Sequence, residues 1–224
     1  MSQNIELVIF DWDGTLFDSV GQIVASLQYA AQQFEQPLTD DAAKSIIGLG
    51  LPEVMQILFP QVPDLQPDIL QCYADHYVAN SKGDAWFSGV AELLADLKQQ
   101  GLKLAVATGK SRKGLDRVLS QTNSHQIFDI TRAACVTKSK PDPLMLQEIL
   151  AELDVAVECA IMVGDTSYDL EMARNLNMPR IGVSYGVHSI ETLQQYQPLT
   201  IAHNVQDLHV YLQNVLEQTA LTEG

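Results

Sequence analysis

Apolar residues follow two rhythms along this chain. The first is a set of short continuous runs, each stopped by polar or glycine-containing residues. Glu6-Leu7-Val8-Ile9-Phe10 ends in Asp11-Trp12-Asp13-Gly14-Thr15, Leu102 to Ala107 in Thr108-Gly109, and Ala160 to Val163 in Gly164-Asp165. Arg180 to Val183 is a weaker run and Leu199 to Ala202 a candidate fifth. Such runs read as buried strands closed by turns. The second rhythm has helical spacing. It covers Val90 to Lys98 (ended by Gly101), Ser111 to Leu119, Pro141 to Leu153 with its prolines in the first turn, Asp169 to Leu176, and Val205 to Leu216.

Strand and helix patterns alternate from residue 88 to the end. This predicts an α/β fold, a Rossmann-like parallel sheet with helices on both faces. Ligands of such sheets bind at the carboxyl ends of the strands, where Asp11, Asp13, Thr108 and Asp165 stand. Residues 19–82 break the alternation with helical patterns only: Val20 to Phe34, Thr39 to Ile47 with Thr39 or Asp40 as N-cap, Pro52 to Leu58, and Pro67 to Ala79. The expected layout is therefore a core of residues 1–18 and 83–224 with a small all-helical insertion, 19–82, after the first strand.

Asp11-Trp12-Asp13-Gly14-Thr15-Leu16-Phe17-Asp18-Ser19 places two carboxylates one residue apart after a buried strand. A carboxylate at a strand end can attack phosphorus to form an acyl phosphate. A second one nearby can protonate the leaving oxygen and later deprotonate water. Gly14 lets the backbone turn sharply, and Thr15 can hydrogen-bond the turn. Asp11, Asp13, Asp165 and Asp169 would repel one another without a cation, which argues for a bound divalent metal. Two nucleotide motifs fail on inspection. Gly109-Lys110-Ser111 lacks the P-loop glycine, since position 104 is Leu104, and Gly48-Leu49-Gly50 is followed by Glu53 where a dinucleotide motif needs glycine.

The nine-residue string resembles motif I of the haloacid dehalogenase-like hydrolases, most of which are phosphatases. The other family motifs follow in order over nearly the whole chain, and the chain looks most like the phosphoglycolate phosphatase group. The resemblance implies Asp11 as nucleophile and Asp13 as acid/base. Thr108 with Gly109 would hold phosphoryl oxygens, and Lys140 in Ser139-Lys140-Pro141-Asp142-Pro143, rather than Lys138, would neutralise the transferring group. Gly164-Asp165-Thr166-Ser167-Tyr168-Asp169 matches the last motif. There Asp165 would join Asp11 and the Asp13 backbone carbonyl around Mg²⁺, with Asp169 in support. The insertion resembles the family's cap, with Gly48 in its loop facing the core. Lys110 and Arg112 are candidates to meet an anionic leaving group.

The resemblance leaves alternatives open. A dehalogenase fits Asp13-Gly14-Thr15 poorly, Lys44 lacks the surroundings of a Schiff-base lysine, and a phosphomutase of the β-phosphoglucomutase type is poorly separated from a phosphatase. A non-catalytic binding protein would be expected to lose a catalytic carboxylate or lysine, and all are present.

Charge narrows the partners. With 28 acidic and 13 basic residues the formal net charge is -15, which disfavours nucleic acid and anionic membranes and requires a phosphate site to be made attractive locally. The expected partner is a small phosphorylated metabolite, bound by a monomer or homodimer. Cys72, Cys135 and Cys159 are odd in number and far apart, so they read as small buried or half-buried hydrophobes rather than a disulfide set or a zinc site. The five histidines show no metal-ligand spacing and take no role. No apolar run reaches a membrane-spanning length and no signal-peptide pattern opens the chain, so a cytoplasmic protein is expected.

Overall fold

Four consecutive apolar residues are stable as a strand only where both faces are covered. In the computed structural model, which describes residues 4–81 and 86–220, Leu7–Phe10 is such a strand, β1, and none of its residues touches solvent. It lies inside a six-stranded parallel sheet with β2 (Lys103–Thr108), β3 (Ile130–Ala133), β4 (Ala160–Gly164), β5 (Arg180–Val183) and β6 (Ile201–Ala202). The strand order is β3-β2-β1-β4-β5-β6, with Phe10 level with Val106 on one side and Val163 on the other. The chain builds outward from β1 to β3, then restarts at β4 on the opposite side of β1. The carboxyl end of β1 is thus the switch point at which such sheets bind ligands.

Between β1 and β2 the chain forms α1 (Val20–Gln33), α2 (Asp40–Ser45), α3 (Leu51–Leu58) and α4 (Gln66–Asn80). Thr39 caps α2, its hydroxyl accepting from the Ala42 N–H at 3.2 Å. These helices carry their own apolar centre, including Leu27, Ala30, Phe59 and Ile69, separate from the layers on the sheet. The boundary expected between residues 82 and 83 lies outside the described residues.

The remaining helices are α5 (Val90–Gln99), α6 (Arg112–Gln121), α7 (Leu144–Leu153), α8 (Ser167–Arg174), α9 (Ile190–Gln194) and α10 (Val205–Ala220). Alternation along β1 divides them. Val8 and Phe10 face the layer of α5, α6 and α10, with Leu97, Leu115 and Leu208. Leu7 and Ile9 face α7 and α8, with Met145, Ile149 and Met172.

Four expectations need correction. Strand β3 is absent from the sequence reading because it is an edge strand in which Thr131 and Arg132 are half exposed, and the Arg132 guanidinium pairs with Glu148 and Glu152 at 2.8 and 2.6 Å. Helix α7 starts at Leu144 rather than at Pro141, because Pro143 keeps Asp142 out of the helical region and the Asp142 carboxylate caps the Leu144 N–H at 3.0 Å. Helix α8 starts at Ser167 rather than at Asp169, because Thr166 and Asp169 form a capping box. Cys135 is exposed rather than half-buried; all three thiols are free.

Leu97 is fully enclosed between α5 and the sheet. Leu97→Ala is expected to lower the unfolding free energy in a denaturant titration by about 2–5 kcal/mol; a loss well under about 1 kcal/mol would contradict this account of the core.

Candidate active site

Asp11 follows β1 directly, and its N–H donates to the Val163 carbonyl on β4 at 2.9 Å, which extends the sheet pairing one residue beyond the strand. Its carboxylate is almost wholly enclosed. Lys140 comes from the loop before α7 and is equally enclosed. Its ammonium donates to Asp11 Oδ1 at 2.7 Å and to Asp169 Oδ1 at 2.6 Å. Burial pulls that ammonium down, and the two carboxylates more than reverse the effect, so it stays charged. The competing Lys138 is instead solvated and pairs with Asp142 at 3.2 Å.

Asp11 has a second oxygen, Oδ2, which is buried without any hydrogen-bond partner. Beside it stand Asp165, at the end of β4, and Asp169, in the first turn of α8; one oxygen from each of the three lies within 4.8 Å of the others. Asp165 is fixed by the Thr15 hydroxyl at 2.8 Å and the Val187 N–H at 2.9 Å. The Thr15 hydroxyl thus reaches across to β4, while its backbone N–H closes the turn on the Trp12 carbonyl at 3.4 Å. Gly14 has φ +82°, and a β-carbon there would sit 2.2 Å from Asp165 Oδ2, so only glycine lets the Asp11–Asp13 turn pass this carboxylate. Burial, opposed by Lys140 and reinforced by Asp169 and Asp13, pushes Asp11 up to about 7. Burial together with Asp11 and Asp169 raises Asp165 as well. Three enclosed carboxylates whose oxygens come this close together form a donor set of the kind hard divalent cations take, so the residues fit such an ion. Asp169 also holds its surroundings together: its Oδ2 accepts from the Thr166 N–H and hydroxyl while Oδ1 binds Lys140.

Asp13 stands apart from this cluster. Its Oδ1 accepts from the Ser19 hydroxyl and from the Lys110 ammonium, the latter at 2.8 Å. Ser19 occupies the N-cap position of α1 but makes no capping bond there; its hydroxyl serves the acid/base candidate instead. Asp11, Asp13, Thr108, Gly109 and Lys110 open onto one cavity of about 660 Å³ between the sheet edge and α1–α4, and Gly48 lines it from the insertion. A β-carbon on Gly109 would meet the Gly48 and Leu49 carbonyls at 2.5 Å, so the insertion lies directly on the strand end. The Gly50 N–H donates to Ser139 Oγ at 2.7 Å and the Tyr168 hydroxyl to the Ser45 carbonyl at 2.7 Å, tying the two parts together.

Arg112 is the exception among the expected residues. Its guanidinium turns to Asp116 at 2.5 Å and Thr131 at 2.8 Å, away from the cavity, because it shares a helix face with Asp116. Lys113 and Arg117, on another face of α6, line the cavity instead. His188, given no role from sequence, accepts from the Ser167 N–H through Nδ1 at 2.9 Å, and its backbone N–H donates to the Asp165 carbonyl at 3.2 Å. Its place in the loop after β5, at the carboxyl edge of the sheet, is the signal that could have found it.

Residues 8–183 match the family of haloacid dehalogenase-like hydrolases. The chain belongs to that family. The "Probable phosphatase IndB" of Dickeya dadantii is 35% identical, over 87% of this chain and 88% of its own. A phosphoglycolate phosphatase of Vibrio parahaemolyticus is 27% identical, over 92% and 95%. The crystal structure of "a predicted phosphatase" from Clostridium acetobutylicum superposes with a TM-score of 0.83 at 26% identity, covering 95% of this chain and all of that one. The chain is a hydrolase of the haloacid dehalogenase-like family and a phosphatase. No helix among its described residues is long and apolar enough to cross a membrane.

In this haloacid dehalogenase-like site the raised Asp11 carboxyl sets a pH signature. Folding moves it from its ordinary 3.8 to about 7. The folded chain therefore keeps a proton that the unfolded chain has released, which stabilises it most below the unfolded value and less and less as the pH rises through 7. Binding of a divalent cation must displace that proton. Mg²⁺ is expected to raise the melting temperature more at about pH 8 than at about pH 6; an equal or opposite response would contradict the assignment of these carboxylates to a cation.

Proposed function

We propose that this chain is a magnesium-dependent phosphomonoesterase that hydrolyses a small phosphorylated metabolite, phosphoglycolate-like or a sugar phosphate, through a phosphoryl-Asp11 intermediate. One observation carries the reading. Among the described residues Asp11 Oδ2 is the only buried carboxylate oxygen without a hydrogen-bond partner, and it stands at the switch point of the sheet. Lys140 has taken the other oxygen.

In the first step Asp11 Oδ2 attacks phosphorus while the Asp13 carboxyl gives its proton to the departing alkoxide. In the second, Asp13 takes a proton from water, whose oxygen attacks phosphorus and breaks the bond to Asp11. Lys110 and Ser19 hold Asp13 in place through Oδ1. The Thr108 hydroxyl and the Gly109 N–H receive phosphoryl oxygens, and the Lys140 ammonium offsets their charge. Asp11, Asp165, the Asp13 carbonyl and, in support, Asp169 are the residues that would hold Mg²⁺. When bound, the ion supplies positive charge against the phosphoryl oxygens and lets the buried carboxylates ionise together. The helices of residues 19–82 act as a cap that keeps bulk water from the acyl phosphate, with Gly48 at the closure and Lys110 beside the leaving group. Arg112 has no part in this scheme, and a cytoplasmic setting belongs to the same proposal.

Phosphate release from a panel of phosphomonoesters tests this. The wild-type chain is expected to release phosphate with Mg²⁺ and not with EDTA, without any sugar acceptor. Asp11→Asn is expected to lose about a thousandfold or more while keeping the melting behaviour of a folded chain. Wild-type turnover by Asp11→Asn in a contamination-controlled assay would remove Asp11 as the nucleophile. Release only in the presence of a phosphoryl-accepting sugar would make the chain a mutase.

A further inference from the structure

The cavity is far larger than a two-carbon leaving group fills, and its walls are unequal. Its volume of about 660 Å³ is in the range of sites that take whole drug-sized molecules. The insertion lines it with Leu27, Ile47, Leu49 and Val54, none of which offers a side-chain hydrogen bond. Gln71 and Asp75 also line it, but both are exposed and bonded to each other at 2.8 Å, so the enclosed polar groups lie on one path that starts at Asp13. Lys110 pairs with Asp13 at 2.8 Å and lies 5.2 Å from the centre of the Tyr77 ring. The Arg117 guanidinium lies 5.1 Å from the same ring. The leaving alcohol departs on the Asp13 side, so whatever it carries extends along this path.

Arg117 is the unanswered group on that path. Its Nε and Nη1 are enclosed and have no acceptor. None of the ion pairs among the described residues includes it, although acidic residues outnumber basic ones 28 to 13 in the chain. The charge of Lys110 is answered by Asp13, and that of Arg117 only by the face of a tyrosine ring. A buried charged donor without a partner is costly and is kept where a ligand completes it. Lys113, one turn before Arg117, also lines the cavity but is exposed to water, so Arg117 alone presents enclosed, unpaired donors there, and the planar fork of a guanidinium matches the two oxygens of a carboxylate.

Resting on the phosphatase reading above, we infer that the preferred substrates are phosphate monoesters whose alcohol consists of an apolar body bearing a carboxylate, which Arg117 receives. Phosphoglycolate offers the carboxylate without the body. Arg117 is then a specificity-determining residue on α6, one turn after the Lys113 that shares its face.

The experiment compares kcat/KM for phenyl phosphate, phosphoglycolate and para-carboxyphenyl phosphate with Mg²⁺, in the wild-type chain and in Arg117→Met and Arg117→Lys. The wild-type chain is expected to prefer para-carboxyphenyl phosphate to both of the others. Arg117→Met is expected to reduce its preference over phenyl phosphate by about 30-fold, through KM rather than kcat. Arg117→Lys should recover part of that preference, which a merely structural arginine would not predict. Using the ratio of two aryl esters cancels their leaving-group difference between variants. Wild-type turnover of phenyl phosphate without a preference for the carboxylate, or equal losses on both aryl esters in Arg117→Met, overturns this inference and leaves the phosphatase reading standing. No turnover of any ester overturns both.

Discussion

The contact on which the site depends is the Lys140 ammonium held between Asp11 and Asp169 with no exposure to water. Three buried carboxylates at the end of one sheet repel each other and have lost their hydration, and a single cation offsets only part of that. Removing one partner of such a buried pair costs about 3–5 kcal/mol, because a charge is left without an answer. The arrangement is therefore maintained by everything that keeps Lys140 in place: the loop before α7 that presents it, the capping box that turns Asp169 toward it, and the covered strand that fixes Asp11. The imbalance that remains is directional. One carboxylate oxygen, Asp11 Oδ2, is left without a partner, and a cation is the natural completion of the charge.

The same local balance explains how an acidic chain can attract a phosphate ester. At long range the net charge of -15 opposes it. Inside the cavity Lys110, Lys113 and Arg117 line the wall along with Asp11 and Asp13, and Lys140 pairs with Asp11. Low dielectric surroundings strengthen these few charges, and the helices over the sheet edge make the surroundings low in dielectric. The insertion lying against Gly109 is what encloses this wall.

Much of this is legible in the sequence because the informative residues sit in local strings. Strands β1, β2, β4 and β5 are apolar runs that end in polar turns, and Asp11, Asp13, Asp165 and Asp169 follow two of them directly. Lys140 is separable from Lys138 only by its proline context, and of the two the structure brings only Lys140 to Asp11 and Asp169. What escapes depends on edges and on distant contacts. Strand β3 is half exposed, so it carries no continuous apolar run, and α9 is too short to show a periodicity. Sequence favours Arg112 over Arg117 because Arg112 stands nearer the motif. On α6 the residue four before Asp116 must face Asp116, whereas Arg117 shares its face with Lys113. Tyr73 and Tyr77 reach the cavity only because the insertion folds back over the sheet, which no local string records.

The central claim is that Asp11 becomes covalently phosphorylated. The most direct measurement is acid quench of the wild-type enzyme during turnover with Mg²⁺, followed by peptide mass spectrometry of the segment from Leu7 to Ser19. The account predicts a base-labile mass increase of one phosphoryl group on Asp11, absent in Asp11→Asn and absent from Asp13. Rapid turnover with no such adduct at any quench time, or an adduct on Asp13, would contradict it.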